Sequence, residues 1–479
     1  MDHPLRIIRP GTFQPENHWY PKALNATVNP LVAHFFRLSN ERIIARYCHL
    51  HQTVDPDALR TLFREVPKFF YWSGADLINT TDLSGRRRMV VIETNSCPSG
   101  QKSTPLIDEQ HEMGGYAVLL RGGLQQFLKG RRLIDGRLAV FYDKNAMETS
   151  GYAHAMAEIF QEDVLLVPFY NDAPNDHVRH TDRFEVRTDA GWEPIRLAFR
   201  YVTQKPWNRI PASSRTAIFN PIVACLAGGR NKLLAAKAYE FFNAEIEPLG
   251  LQIRSPRTQW EVSQGAVPFW FERYGGQLVV KSPYSNAGQG VFLLTNQAEL
   301  DTFMATRFDY DSFIVQSLIG NRNWSSDTES GKLYHVGTLP DKRGETFVAD
   351  IRLMIHRTAE GFRPVGMYSR RSRAPLPRDL DTDISTWDVL GTNISVKTGA
   401  NTWDYDVGRL ILMDRKDFNQ LGLGIDDLIE AYVQTVLSTL AIDRMARRLV
   451  NSKGRFRRKH FLTLNQDQAL VDEIMRDVV

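Results

Sequence analysis

Two stretches of the chain carry side chains suited to phosphate and metal chemistry. In "VVIETNSCPSGQKS" (90–103) an apolar run reaches Glu93, Asn95 follows on the same face, and Pro98, Ser99 and Gly100 then break the strand. Two oxygen donors at a strand end suit Mg²⁺, a hard cation that usually meets proteins together with substrate phosphates. In "VVKSPYSNAGQGV" (279–291) a second apolar strand delivers Lys281 into a loop of small residues holding Ser285, Gly288 and Gly290. Glycine lets backbone N–H groups approach phosphate oxygens, and lysine adds a point charge. The lysine precedes the glycines and no helix follows, so this is not the GxxxxGK[ST] loop, and a hairpin with a solvated lysine fits the same residues.

Further polar residues interrupt apolar strands. "VQSLI" (315–319) brings Gln316 and Ile319 on a strand edge that could offer backbone groups to an adenine ring. In "VADIRLMI" Asp350 and Arg352 alternate with apolar residues and therefore share a face. Arg370, Arg371 and Arg373 end the next strand, and Asn393 follows in "GTNISVKTG". Cations on inward strand faces are costly unless an anion meets them. Other roles fit some of these residues: Asp76 could cap the "DLSG" turn, Glu93 could pair with Arg86 to Arg88, and the arginines could be an exposed strand end. His177 and His180 in "DHVRHTD" read as surface residues, and Cys97 as a small buried thiol.

Positioning these residues takes a mixed α/β chain, with a mostly antiparallel half after residue 250. Residues 27–68 show helical spacing; "FFYWSGADLIN" and "MVVIETN" form a hairpin. "LAVFYD" (138–143), a helix and "VLLVPFY" form a βαβ unit, "RLAFRYV" (196–202) adds a strand, and 216–245 reads as helix. "FVADIRLMIH" and "FRPVGMYSRRSR" pair as long antiparallel strands, and helices such as "IDDLIEAYVQTVLSTLAIDRMARRL" close the chain. At 479 residues two or three lobes are expected. A net charge of +4 demands neither nucleic acid nor an anionic membrane. Three scattered cysteines fit a reducing compartment, and neither a signal peptide nor a membrane span is expected. The basic run at 447–460 reads as a solvated face, with nucleic-acid contact the lesser reading.

In order, the lysine–glycine loop, linker strand, D-x-R strand, arginine strand and N-I-S turn resemble the nucleotide-binding half of ATP-grasp ligases. That family commonly ends on an aspartate and a Glu-x-Asn that hold Mg²⁺; here the matching residues are Asp76, Glu93 and Asn95, near the front. The chain therefore resembles the circularly permuted, eukaryotic-type glutathione synthetases. "LAFRY" is similar to their substrate-facing strand, which implies substrate roles for Arg200 and Tyr201, with Asn393 beside them. "RTAIFNPIVACLAGGRNKLL" is similar to their segment ending in a nucleotide lysine, here Lys232. Two departures stand out: Gly74 replaces an arginine, and 282–290 lacks the family's acidic metal ligand. The resemblance implies a relative with another substrate.

It further implies an ATP-grasp fold with antiparallel lobes and a small open βαβ lobe. The expected divisions are 1–130 (helices and permuted metal-binding strands), 131–215 (substrate lobe) and 216–479 (nucleotide-binding lobes and C-terminal helices). ATP would be held by Lys232, Lys281, Ser285, Gly288, Gly290, Gln316 and Ile319, and Mg²⁺ by Asp76, Glu93 and Asn95. Arg352, Arg371 and Arg373 would stabilise an acyl-phosphate. The expected activity joins a carboxylic acid to an amine, on small-molecule or peptide substrates, in a cytoplasmic protein, with a homodimer as a candidate assembly. The alternative is a nucleotide-binding regulatory or interaction module without ligase activity.

Overall fold

The computed structural model describes residues 4–107, 112–170, 175–203, 209–285, 288, 290–380, 384–397 and 403–475. Three sheets and one long buried helix organise them. The first sheet is open and holds the expected βαβ unit: Arg137–Tyr142 and Val164–Pro168 run parallel, joined by the helix Ala146–Phe160. Gly191–Tyr201 lies parallel on the other side of Arg137–Tyr142, followed by Ala217–Phe219. The second sheet is antiparallel, in the order Thr258–Ser263, Ser312–Ser317, Leu278–Lys281, Val291–Leu294. The third is also antiparallel, and it joins distant parts of the chain. Trp72–Thr81 pairs with Arg87–Ser96 on one side and with Ala349–Thr358 on the other, which in turn pairs with Gly361–Arg371.

Expected helical spacing at 27–68 resolves into three helices, Pro30–Arg37, Asn40–Leu50 and Pro56–Arg64. Each starts at a side-chain cap, from Asn29, Ser39 and Asp55, which accepts an otherwise orphaned N–H. The expected helix at 216–245 needs correction. Ala217–Phe219 is a strand, and a π-turn at Cys225–Gly229 separates it from the helix Lys232–Ile246, capped by Asn231. Proline at 221 and paired glycines at 228 and 229 oppose one continuous helix there.

The helix Ile425–Arg448 supports the third sheet from behind. Its apolar residues join one core with Ala75, Leu77, Val91, Leu353 and Ile355. Polar residues on the same buried helix find partners: Thr439 meets Ser73 at 2.6 Å, and Ser438 accepts from Thr94 at 3.1 Å. Asp443, fully buried, accepts the backbone N–H groups of Lys68, Phe69 and Phe70 at 2.7–3.0 Å. It thereby fixes the chain just before the Trp72–Thr81 strand. Asp443→Ala orphans those three donors and should destabilise the protein by about 3 kcal/mol, read as a lower urea midpoint. Asp443→Asn keeps an acceptor oxygen and should cost about half as much.

Candidate functional site

The second and third sheets, the start of the helix Ala146–Phe160 and the turn before Lys232 enclose a cavity of about 700 Å³. Asp76, Glu93, Asn95, Lys232, Lys281, Ser285, Gly288, Gly290, Gln316, Ile319, Arg352 and Asn393 all line it. Residues scattered over more than 300 positions thus share one cavity.

On the phosphate-like side, Lys281 leaves its strand and donates to the Ile92 carbonyl at 3.2 Å. Lys232 donates to the backbone oxygen of Ser285 at 2.9 Å and to its hydroxyl at 3.2 Å, and lies 3.6 Å from Glu93. Gly288 and Gly290 have φ of +77° and +68°, which side chains rarely adopt, so the loop's shape requires glycine. Burial pushes Lys281 down to about 8, against the opposing pull of Glu93. For Glu93, burial alone would raise the carboxyl, but Lys232, helped by Arg230 and Lys281, holds it below the usual range. Asn95 is 2% exposed, and its side-chain nitrogen has no hydrogen-bond partner. Its amide can flip to present oxygen instead. Glu93 and Asn95 are therefore hard oxygen donors of a kind that fits Mg²⁺.

Asp76 departs from the expected metal role. Arg352 grips both its oxygens, at 2.5 and 2.6 Å, and Arg370 adds a bond at 2.9 Å. These cations overcome burial and keep the carboxylate ionised well below its usual range. Arg370 also pairs with Asp350, which accepts from Thr392 at 2.8 Å. Arg352 turns Nη1 toward the Ser99 carbonyl and the Tyr368 hydroxyl, both at 3.3 Å.

Arg371 and Arg373 do not line the cavity. Arg371 lies over the Phe347 ring at 4.3 Å, and Arg373 reaches Asp388 at 3.2 Å on the surface. Register explains this: Asp350 sits opposite Arg370 and Arg352 opposite Tyr368, so the cavity face belongs to the even positions. Arg200 is fully buried and donates to the carbonyls of Asn220 and Val202, which removes it from substrate contact. Tyr201 is buried too; its hydroxyl accepts from Asn145 at 3.3 Å, so it positions a cavity residue without reaching the cavity. Cys97 donates to the Arg200 carbonyl at 2.9 Å, and burial pushes its thiol up to about 11, so it is an inert core group. His177 and His180 reach separate partners, Pro168 and Ser214, and no cluster of three metal-ligating side chains of the His, Cys, Asp and Glu types occurs among the described residues.

Sequence reasoning missed Lys102, Lys144 and Arg230, which also line the cavity. Lys102 sits in a single 3-10 turn, Gln101–Ser103, and the other two in loops, all too short to show a period. One signal was available: Asn145 holds φ of +53°, a left-handed conformation uncommon outside glycine, and Asn in "DKNAM" tolerates it.

The Lys281 shift predicts a pH dependence. Below about 8 its ammonium is charged and attracts phosphate; as pH rises through 8 the charge is lost. Affinity for an added phosphate anion such as pyrophosphate, measured by calorimetry, should fall several-fold between pH 7 and 9.5. Lys281→Arg, charged throughout, should flatten that fall.

No family and no curated protein matches the sequence. Among solved structures the chain is similar to a glutathione synthetase-like effector of Globodera pallida, with 9% identity, 71% of this chain and 82% of that one covered, and a TM-score of 0.38. An ATP-grasp RimK domain protein of Sphaerobacter thermophilus matches at 16% identity over 48% of this chain and 90% of its own, with a TM-score of 0.30. A D-alanyl-alanine synthetase A of Vibrio cholerae matches at 10% identity over 49% and 89%, with a TM-score of 0.29.

Proposed function

We propose that the protein is an ATP-dependent ligase that joins a carboxylic acid to an amine through an acyl-phosphate. The observation that carries this reading is the single cavity in which Lys232, Lys281 and the glycine loop share a space with Glu93, Asn95 and a fixed arginine pair. In this reading the chain is a circularly permuted ATP-grasp ligase of the glutathione-synthetase type, with Trp72–Ser96 as the displaced metal-binding strands. Lys232, Lys281 and the backbone at Ser285, Gly288 and Gly290 hold the phosphates, and Gln316 and Ile319 border the base. Glu93 and Asn95 hold Mg²⁺, which neutralises phosphate charge when bound. The acid's carboxylate oxygen attacks the terminal phosphorus, and the P–O bond to ADP breaks. The amine then attacks the acyl carbon, loses a proton and expels phosphate. Arg352, held by Asp76, offers a guanidinium edge to the charge that builds on the transferring group. Asp76 serves as the anchor of the arginines.

Two substitutions separate these roles. Glu93→Gln should lower ATP turnover to ADP in the presence of acid and amine at least 100-fold and raise the Mg²⁺ requirement, with little change in the melting temperature. Unchanged turnover would sink the metal assignment. Asp76→Asn leaves Arg352 and Arg370 partly uncompensated in a buried place and should cost stability, by about 3 kcal/mol in urea unfolding. ATP that binds tightly but is never hydrolysed with any mixture of acids and amines would favour a non-catalytic nucleotide-binding module.

A further inference from the structure

Cations outnumber anions in the cavity: eight lysines and arginines against four carboxylates among the described residues. Most of the imbalance is local. Asp76 and Asp350 are spent on Arg352 and Arg370, and Glu93 lies beside Lys232. Glu148 lies close by, but its carboxylate accepts from the Ser99 hydroxyl at 2.7 Å and from the Gly100 and Gln101 N–H groups at 2.9 and 3.1 Å. It shapes the 99–103 turn, and its charge also favours the Lys102 ammonium without an ion pair between the two.

That turn presents Lys102, and the start of the helix Ala146–Phe160 presents Lys144. Lys102 is 5% exposed; its ammonium lies 5.0 Å from the Tyr20 ring centre and 4.5 Å from that of Tyr405. Its polar contact is a long one, 3.5 Å to Asn145, and among the described residues it has no carboxylate within ion-pair distance. Lys144 has neither a hydrogen bond nor an ion pair to a described residue; Arg230 and Arg352 disfavour its charge, and the neighbouring Asp143 offsets them in part. Burial, with Arg230 next, pushes it down to about 7. Asn145, in its left-handed conformation, is held by Tyr201 and by Tyr405, which donates to it at 2.9 Å. Desolvated lysines whose nearest carboxylates, Glu148 and Asp143, form no ion pair with them are costly, and a rigid mount for them points to a ligand that supplies closer negative charge.

We propose that the acid substrate carries a second, non-reacting carboxylate, and that Lys102 and Lys144 clamp it between the 99–103 turn and the start of the helix Ala146–Phe160. This rests on the ligase reading above and narrows its substrate to dicarboxylic acids, including acidic amino-acid derivatives. Tyr20 and Tyr405 set their rings beside Lys102 and also line the cavity, which suits a short flexible chain between the two carboxylates. Nucleotide phosphates are served separately by Lys232, Lys281 and the glycine loop.

Calorimetric titration of the full chain, saturated with Mg·ADP, tests the clamp. Succinate and glutarate are compared with butanoate and pentanoate, and with inorganic phosphate. The expected result is at least tenfold tighter binding of the diacids than of the monoacids of equal length and of phosphate. Lys102→Met and Lys144→Met, each first shown to bind Mg·ADP and so to be folded, should each remove most of that preference. Monoacids or phosphate binding as well as diacids, or a preference that survives both substitutions, would overturn the proposal. If Mg·ADP binds but no diacid preference appears, the clamp alone is wrong; if Mg·ADP does not bind the unaltered protein, the nucleotide reading falls with it.

Discussion

A buried chain of charges, Arg352–Asp76–Arg370–Asp350, is the constraint on which the cavity depends. Four ionised groups leave water to form it, and desolvation makes such a network expensive unless every member is partnered. Here each is: Asp76 receives two guanidiniums, Arg370 bridges two carboxylates, and Thr392 takes part of Asp350. The network crosses three adjacent strands and locks their register, since a slip of one residue would turn every one of these charges into the core. It also aims Arg352 before any ligand arrives, and preorganised charge is what a site for phosphoryl chemistry needs.

The same packing gives a physical reason for a departure noted in the sequence. Gly74 stands where the sequence resemblance implies an arginine. A Cβ at that position would lie 2.6 Å from Cβ of Pro98, so the strand and the turn after Glu93 touch backbone to side chain. The turn itself then rests on Tyr368, 2.5 Å from any Cβ added at Gly100. Space used elsewhere for a long cation is used here to press the 98–103 turn against the sheet, which carries Lys102 to the cavity wall.

Much of this was legible from sequence where strand alternation governs. Lys281, Glu93, Asn95, Asp350 and Arg352 were found because period-two patterning identifies a face without knowledge of the partner strand. The same rule failed for Arg371 and Arg373, because three arginines in four positions leave the parity open until cross-strand register is known. Arg200 and Tyr201 misled for another reason. Their end of the strand lies between parallel neighbours of a mixed sheet and is buried, and there an inward polar residue braces the fold as readily as it meets a substrate. Lys102, Lys144 and Arg230 escaped because short turns and loops carry no period, and only the tertiary fold collects them. The helices at 30–64 were legible as a region, and their division follows from ordinary caps at Asn29, Ser39 and Asp55.

The third sheet has a consequence for how the chain comes into being. Asp76 and Arg352 face each other across 276 residues of sequence. During synthesis, the Trp72–Ser96 hairpin leaves the ribosome long before the strand that completes it, with an open edge and an apolar face meant for the helix Ile425–Arg448. Loop closure over such a distance is slow, and bare edges recruit wrong partners while they wait. Folding of this sheet is therefore essentially post-translational, and a chain cut short before residue 349 exposes a sticky half-sheet instead of a smaller working protein.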